Sequence, residues 1–357
     1  MEYLSKARKT RRGFALTVAA TLATSLLAGC GGSTDEGTQS AELTPIRVGL
    51  PSSNYWPAYI ARERELYEEA GLDPEFISFN SGAPLIAALE SGSVDSVFTG
   101  LATLFAVRQG IELTYILTPL DSSSQEGFIV PENSEVQSYE DLDKLDTIGV
   151  PTASCAHISA VTAAQAAGLE PGSLNIVNVD PNILQTALDS GDIDGTFIWG
   201  PWSIALEQAG YKIVNWDADY QGGAGLCATN MAIRPAFAAQ HPDVACKLID
   251  VHQRSLEVAR QEPQLGPETL QQELGLTPKI AQQTYDTLAI PGLEEQLSED
   301  SPWSLTNAET GLAKRLSLAS EALVEAEVFD QAFTTQELDS MIDPAPLEEY
   351  LSTGCQN

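Results

Sequence analysis

Leu89-Glu90-Ser91-Gly92-Ser93-Val94-Asp95 recurs at an offset of 99 as Leu188-Asp189-Ser190-Gly191-Asp192-Ile193-Asp194. Two more matched pairs lie upstream, Val48-Gly49-Leu50-Pro51 with Ile148-Gly149-Val150-Pro151 and Gly71-Leu72-Asp73-Pro74 with Gly168-Leu169-Glu170-Pro171, at offsets of 100 and 97. A strand ending in Pro, or a helix closed by Gly, is common in any βα unit, so one match carries little. Three in the same order at nearly constant offset point to two homologous lobes. Around them, strand-like runs alternate with helix-period stretches: Ile46–Leu50, a helix through Ala58–Ala70, Glu75–Phe79, a helix near Pro84–Glu90, Val94–Thr99, a helix near Ala102–Gln109 and Leu113–Leu117. That alternation predicts α/β layers, each lobe an open, mostly parallel sheet flanked by helices.

Two such lobes facing each other put strand C-termini and helix N-termini at a shared crevice, where open α/β sheets bind ligands. The polar, turn-prone stretch at 119–126 (PLDSSSQE) suits a crossing into the second lobe, and after Met231–Ile233 the chain turns mainly helical, as if returning to brace the first. The expected organisation is a signal segment at 1–29, a tether at 30–44, one lobe from 45–121 and 231–357, and a second lobe from 122–230.

The chain carries 18 Lys+Arg against 50 Asp+Glu, a formal charge of −32. Five of the bases (Lys6, Arg8, Lys9, Arg11, Arg12) and one acid (Glu2) precede residue 30, which leaves 13 bases, 49 acids and −36 for the rest. Such a surface has no basic face to neutralise a phosphate backbone, which excludes nucleic acid as a partner. After the basic stretch comes an apolar run, Phe14 to Leu27, of the length of a signal-peptide core and short for a span of ~20 residues. It ends in Leu27-Ala28-Gly29-Cys30, which resembles the lipobox of bacterial lipoproteins, so Cys30 is the expected site of lipid attachment and the membrane is met through that anchor only. An ordinary secretory signal with an incidental Cys is the alternative. Thr10-Arg11-Arg12-Gly13-Phe14-Ala15 also resembles a twin-arginine signal, which leaves the export route open between the two systems.

Catalysis finds little support. The histidines are His157, His241 and His252, none at HExxH spacing; there is no CxxC pair, Gly-x-Ser-x-Gly elbow, P-loop or GxGxxG after a strand. The expectation is a binding protein without metal or cofactor. The informative segments are loops that leave strands and open helices. Pro51-Ser52-Ser53-Asn54-Tyr55-Trp56-Pro57 follows the first strand, its counterpart in the repeat is Pro151-Thr152-Ala153-Ser154-Cys155-Ala156-His157, and Asn80-Ser81-Gly82-Ala83 follows the second strand. Helix starts present unpaired N–H groups and partial positive charge, so several converging on one crevice hold an anion without any Lys or Arg. Read singly, each Ser is only an N-cap. Trp56, Trp199, Trp202 and Tyr55 are either ligand walls or core; Trp199 ends an apolar run before Gly200-Pro201, which puts it near the crevice.

SGAPLIAALESGSVD (81–95), QEGFIV (125–130), VPTASCAH (150–157), LEPGSLNIVNVDPNILQTALDSGDIDGTFIWGP (169–201) and AIRPAFAAQHPDV (232–244) resemble the periplasmic taurine/aliphatic-sulfonate binding proteins of ABC importers. The likeness runs through roughly residues 45–260. It implies the two-lobed type II periplasmic-binding-protein fold with the ligand in a cleft between the lobes, and a monomer that hands a small organosulfur anion to an ABC permease driven by an ATPase. Position by position, the family's Ser-Thr-Thr-His segment matches Ser154-Cys155-Ala156-His157, its Glu before the returning strand matches Glu126, and its Trp-x-Pro matches Trp199-Gly200-Pro201. An Asp that pairs with taurine's ammonium matches Thr229, beside Cys227 and Asn230. The expected ligand contacts are therefore Asn54, Tyr55, Trp56, Ser81, Gly82, Ala83, Gly100, Glu126, Ser154, Cys155, His157, Trp199 and Thr229. With the Asp absent, a sulfonate without an amine, or another small anion, fits at least as well as taurine. A receptor of the same fold that presents its ligand to a membrane sensor is the alternative role.

Beyond Cys30, four cysteines permit three connectivities. Pairing within lobes, Cys155–Cys227 and Cys246–Cys355, leaves lobe closure free and is favoured, with four free thiols as the alternative.

Overall fold

The computed structural model describes residues 43–355 apart from 171, 221–225 and 228. The expected signal segment at 1–29, Cys30 and most of the expected tether lie outside the described residues. Within them the strands form two five-stranded sheets of one topology. β1 (Thr44–Pro51), β2 (Leu72–Phe79), β3 (Ser96–Thr99), β4 (Thr114–Leu117) and β10 (Asn230–Ile233) make the first, in the order β2-β1-β3-β10-β4. β5 (Gly127–Val130), β6 (Ile148–Val150), β7 (Ile176–Asn178), β8 (Gly195–Ile198) and β9 (Lys212–Trp216) make the second, in the order β7-β6-β8-β5-β9. In each sheet one strand, β10 or β5, runs antiparallel to both its neighbours.

The repeat recurs in the registers. Val48 lies opposite Phe76 and Ser96, and Ile148 lies opposite Ile176 and Gly195. Gly49 and Gly149 hold the same place in β1 and β6, and both are pressed by side chains: a Cβ would stand 3.1 Å from Leu85 Cδ1 at the first and 2.6 Å from Ile193 Cδ1 at the second. The central strands β3, β5, β8 and β10 are buried at every residue, as sheets covered on both faces require. β2 is an edge strand, which is why it tolerates Pro74 with no N–H to donate.

The helices of the first half are α1 (Trp56–Glu63), α2 (Leu66–Glu69), α3 (Gly82–Glu90), α4 (Ala102–Arg108), α5 (Cys155–Ala166), α6 (Leu184–Ser190), α7 (Trp202–Gln208) and α8 (Asp217–Tyr220). The single helix expected over Ala58–Ala70 is two: Glu65 takes a left-handed turn (φ 55°), after which Leu66 and Tyr67 are both buried and the Tyr67 ring meets Phe76 of β2 edge-on at 5.2 Å. The return carries α9 (Pro235–Ala238), α10 (Val244–Gln261), α11 (Leu265–Leu274), α12 (Pro278–Thr287), α13 (Leu312–Glu325), α14 (Thr335–Met341) and α15 (Ala345–Thr353). α10 packs on α1, α15 on α10, and α13 reaches across to α5, where Gln165 Nε2 donates to the Ala322 carbonyl at 3.0 Å. A disulfide joins Cys246 of α10 to Cys355 just beyond α15. No helix among the described residues is long and apolar enough to cross a membrane.

These C-terminal elements hold the first crossing, residues 118–126, from outside. The Gln296 side chain accepts from the Thr118 N–H (2.7 Å) and donates to its carbonyl (3.0 Å). Asp121 Oδ2 accepts from Arg315 Nη1 and from Trp303 Nε1, both at 2.9 Å. Gln125 Nε2 donates to the Thr284 carbonyl and the Thr287 hydroxyl, at 2.6 and 2.7 Å.

Candidate ligand cavity

Where the loops after β1, β2 and β3 meet those after β6 and β8, the lobes enclose a cavity of about 40 Å³. Its wall takes Pro51, Ser53, Asn54, Tyr55, Ser81, Gly82, Thr99, Gly100 and Ala102 from the first lobe. Ser154, Cys155 and Trp199 come from the second, and Ser122, Cys227 and Thr229 from the crossings. No charged side chain lines it among the described residues.

Two helix starts give the cavity its electrostatic character. Ser81 is the extended N-cap of α3 and Ser154 that of α5, yet neither side chain caps its helix; Ser154 Oγ donates to the Pro151 carbonyl instead. The first-turn N–H groups of a nine-residue and a twelve-residue helix are therefore left for whatever occupies the space, with the positive ends of both dipoles behind them. The hydroxyls of Thr99 and Ser122, and one of the hydrogen-bonded pair Tyr55 and Thr229, add neutral donors. Burial pushes the Tyr55 phenol up, against the pull of its hydrogen bond with Thr229, so it stays a neutral donor. Asn54 is fixed by Nδ2 donating to Gln125 Oε1 at 2.8 Å, which links the cavity to the first crossing. Ser53 Oγ donates across the cleft to the Gly200 carbonyl at 3.3 Å.

Close approach of the lobes depends on two glycines. A Cβ on Gly82 would stand 2.5 Å from the Ala153 carbonyl oxygen of the opposite lobe and 2.7 Å from Ala102 Cβ; one on Gly100 would run into Cys155 Sγ and stand 3.2 Å from Cys227 Sγ. Those sulfurs are joined to each other, so one wall of the cavity is a disulfide.

Asn54, Tyr55, Ser81, Gly82, Gly100, Ser154, Cys155, Trp199 and Thr229 come together at the cavity, whereas Trp56, Ala83, Glu126 and His157 do not line it. Trp56, first residue of α1, turns away to Tyr285, ring centroids 5.0 Å apart, and faces a separate groove. Ala83 is exposed on the outer side of α3. His157 stacks on Phe105 at 6.2 Å beside a second outside groove, and burial lowers its pKa. Glu126 lies beside the disulfide: its nearest carboxylate oxygen and the two sulfurs are within 4.8 Å of one another. Burial, and then Asp217 nearby, hold the Glu126 carboxyl well above the usual carboxylate range. Two sulfurs bonded to each other are not thiolates, so this group does not offer a metal the ligands its composition suggests. Sequence reading singled out neither Thr99 nor Ser122; Thr99 ends a strand at the crevice and was findable by the same rule that found Ser81.

A cavity between two α/β lobes, faced by helix starts, is the architecture of a two-lobed binding protein of the periplasmic type. The chain belongs to the NMT1/THI5-like family, whose model matches residues 52–265. The taurine-binding periplasmic protein of Escherichia coli K12 is 31% identical over 190 residues, 53% of this chain and 58% of that protein, so the match spans little more than half of the relative. The fold is that of the alkanesulfonate-binding protein SsuA of Xanthomonas axonopodis pv. citri bound to MOPS, with a TM-score of 0.69 at 18% identity over 85% of this chain and 99% of that one. The periplasmic aliphatic sulphonate binding protein SsuA of Escherichia coli gives a TM-score of 0.66 at 19% identity over the same shares.

Proposed function

We propose that the protein is the extracytoplasmic solute-binding component of an ABC importer, lipid-anchored through Cys30, and that it delivers a small sulfonate to a permease and its ATPase. The lobes of this reading are 45–121 with 231–357, and 122–230. The observation that carries it is the pair of uncapped helix starts, α3 and α5, facing one uncharged cavity. A sulfonate spreads one negative charge over three acceptor oxygens, which suits several N–H and O–H donors without a counter-cation. Charge-assisted hydrogen bonds contribute roughly 1.5–3 kcal/mol each, so a few give a micromolar complex near −8 kcal/mol after the cost of immobilisation.

Calorimetry with ethanesulfonate, taurine, sulfate and dimethyl sulfone tests the reading. Ethanesulfonate is expected at micromolar Kd and taurine within about tenfold of it, a difference of ~1.4 kcal/mol or less. Sulfate is expected to bind weakly because its second charge finds no cation among the described residues of the wall, and the neutral sulfone not measurably. No heat with either sulfonate would remove the ligand assignment. The anchor has its own test: a fatty-acid probe fed to producing cells is expected to label the protein and to miss Cys30→Ala, and equal labelling of the two refutes acylation there.

A further inference from the structure

Glu126 is fully buried, and neither of its carboxylate oxygens has a hydrogen-bond partner among the described residues. A buried carboxyl without partners is costly to keep, and its cost falls when a cation arrives. Next to it lies the Cys155–Cys227 bridge. The sulfurs lie on the cavity wall and Glu126 does not; its carboxylate is within 4.8 Å of both of them. On another side the bridge is wedged against Gly100, which has no room for a Cβ.

We propose that the Cys155–Cys227 disulfide is a selectivity screen: intact, it hides Glu126 so that the cavity takes a sulfonate without an amine, and opened, it uncovers a carboxylate that recruits an ammonium-bearing sulfonate. The proposal rests on the anion-site reading above. The intact state is consistent with it, because burial disfavours the charged form of the carboxyl and so weakens its repulsion of an anion in the cavity. Once uncovered, Glu126 ionises against the ligand's ammonium.

Within the bridge, Cys155 is the better leaving sulfur. Cys155 is the first residue of α5, and its Sγ accepts from the Leu101 N–H at 3.4 Å, so both a helix N-terminus and a backbone donor stabilise it as a leaving thiolate. A dithiol supplies the exchange. One of its thiolates attacks Cys227 Sγ, and Cys155 leaves as thiolate and takes a proton. The second thiol of the reagent then displaces Cys227, which is protonated in turn. Two electrons and two protons pass to the protein, and the reagent departs as its own disulfide.

The test compares taurine with ethanesulfonate by calorimetry on the intact protein and on Cys155→Ala/Cys227→Ala, in which Cys246–Cys355 is retained. The ratio of taurine to ethanesulfonate affinity is expected to rise at least tenfold in the double variant and to fall back when Glu126→Gln is added. Should the alanine variant not fold, Cys155→Ser/Cys227→Ser and the dithiothreitol-treated protein give the same comparison at nearly native volume. A ratio within twofold of the intact protein's overturns the screen while leaving the site standing. Failure of both sulfonates to bind the intact protein overturns the site, and the screen with it.

Discussion

Asp121→Ala is expected to destabilise the protein by about 3–5 kcal/mol. Asp121 and Arg315 face each other at 2.9 Å with both side chains 5% exposed. The same carboxylate accepts from Trp303 Nε1, and its other oxygen accepts from the Ser123 N–H at 2.9 Å and hydroxyl at 2.6 Å. Its removal strands a buried guanidinium whose Nε already finds no partner among the described residues. The loss comes from that stranded charge more than from the pair's net worth, so Asp121→Ala/Arg315→Met is expected to be more stable than Asp121→Ala alone. Urea unfolding of the three proteins measures this. A single variant within 1 kcal/mol of the parent, or a double variant less stable than the single, would contradict it.

Gly82→Ala is expected to weaken sulfonate binding roughly ten- to hundredfold, the equivalent of forcing a methyl into a filled space at about 1–3 kcal/mol. The Cβ would meet the Ala153 carbonyl, a backbone atom of the opposite lobe that has no rotamer to escape into. Ala153 is itself held in the left-handed region at φ 54°, where an L-residue sits rarely, so its loop has little freedom left to retreat. The added methyl also meets Ala102 Cβ within its own lobe, so Gly82→Ala/Ala102→Gly separates the two contacts. It relieves the second and keeps the first, and weak binding is expected to persist in it. Recovery of parental affinity in that double variant would place the effect inside the first lobe and refute the role of the cleft contact.

The fold was legible because its repeat is written at nearly constant offset. The copies of Val48-Gly49-Leu50-Pro51 became the equivalent strands β1 and β6, and the Ser-Gly segments closing α3 and α6 precede the equivalent strands β3 and β8. Helix starts were legible as well, since Ser81 and Ser154 stand where an extended residue must precede the first turn. What was not legible is which way the next side chains point. A helix turns about 100° per residue, so Cys155 at the start of α5 faces the cavity while His157, two residues on, faces the outside. Tyr55 and Trp56 part in the same way at α1. The break at Glu65 was hidden because its cause, burial of Leu66 and Tyr67 against β2, lies in a distant strand. The crossing's anchors were hidden too: Asp121 and Arg315 are 194 residues apart, and nothing local marks either as half of a pair.

The exchange of antiparallel strands bears on how the chain is made. All five strands of the second sheet fall within Gly127–Trp216, so that sheet can close from a contiguous stretch as soon as it is available. The first sheet cannot. Between β3 and β4 it needs β10, which begins at Asn230, so a chain released only as far as the second lobe holds both strands with open edges. Closure of that gap joins segments more than a hundred residues apart, a slow step by its loop length, and until then the edges of β3 and β4 are free to pair with other chains. The lobe that begins first is thus completed last, and fragments that stop short of residue 230 are expected to collect as aggregates while the 122–230 segment stays soluble.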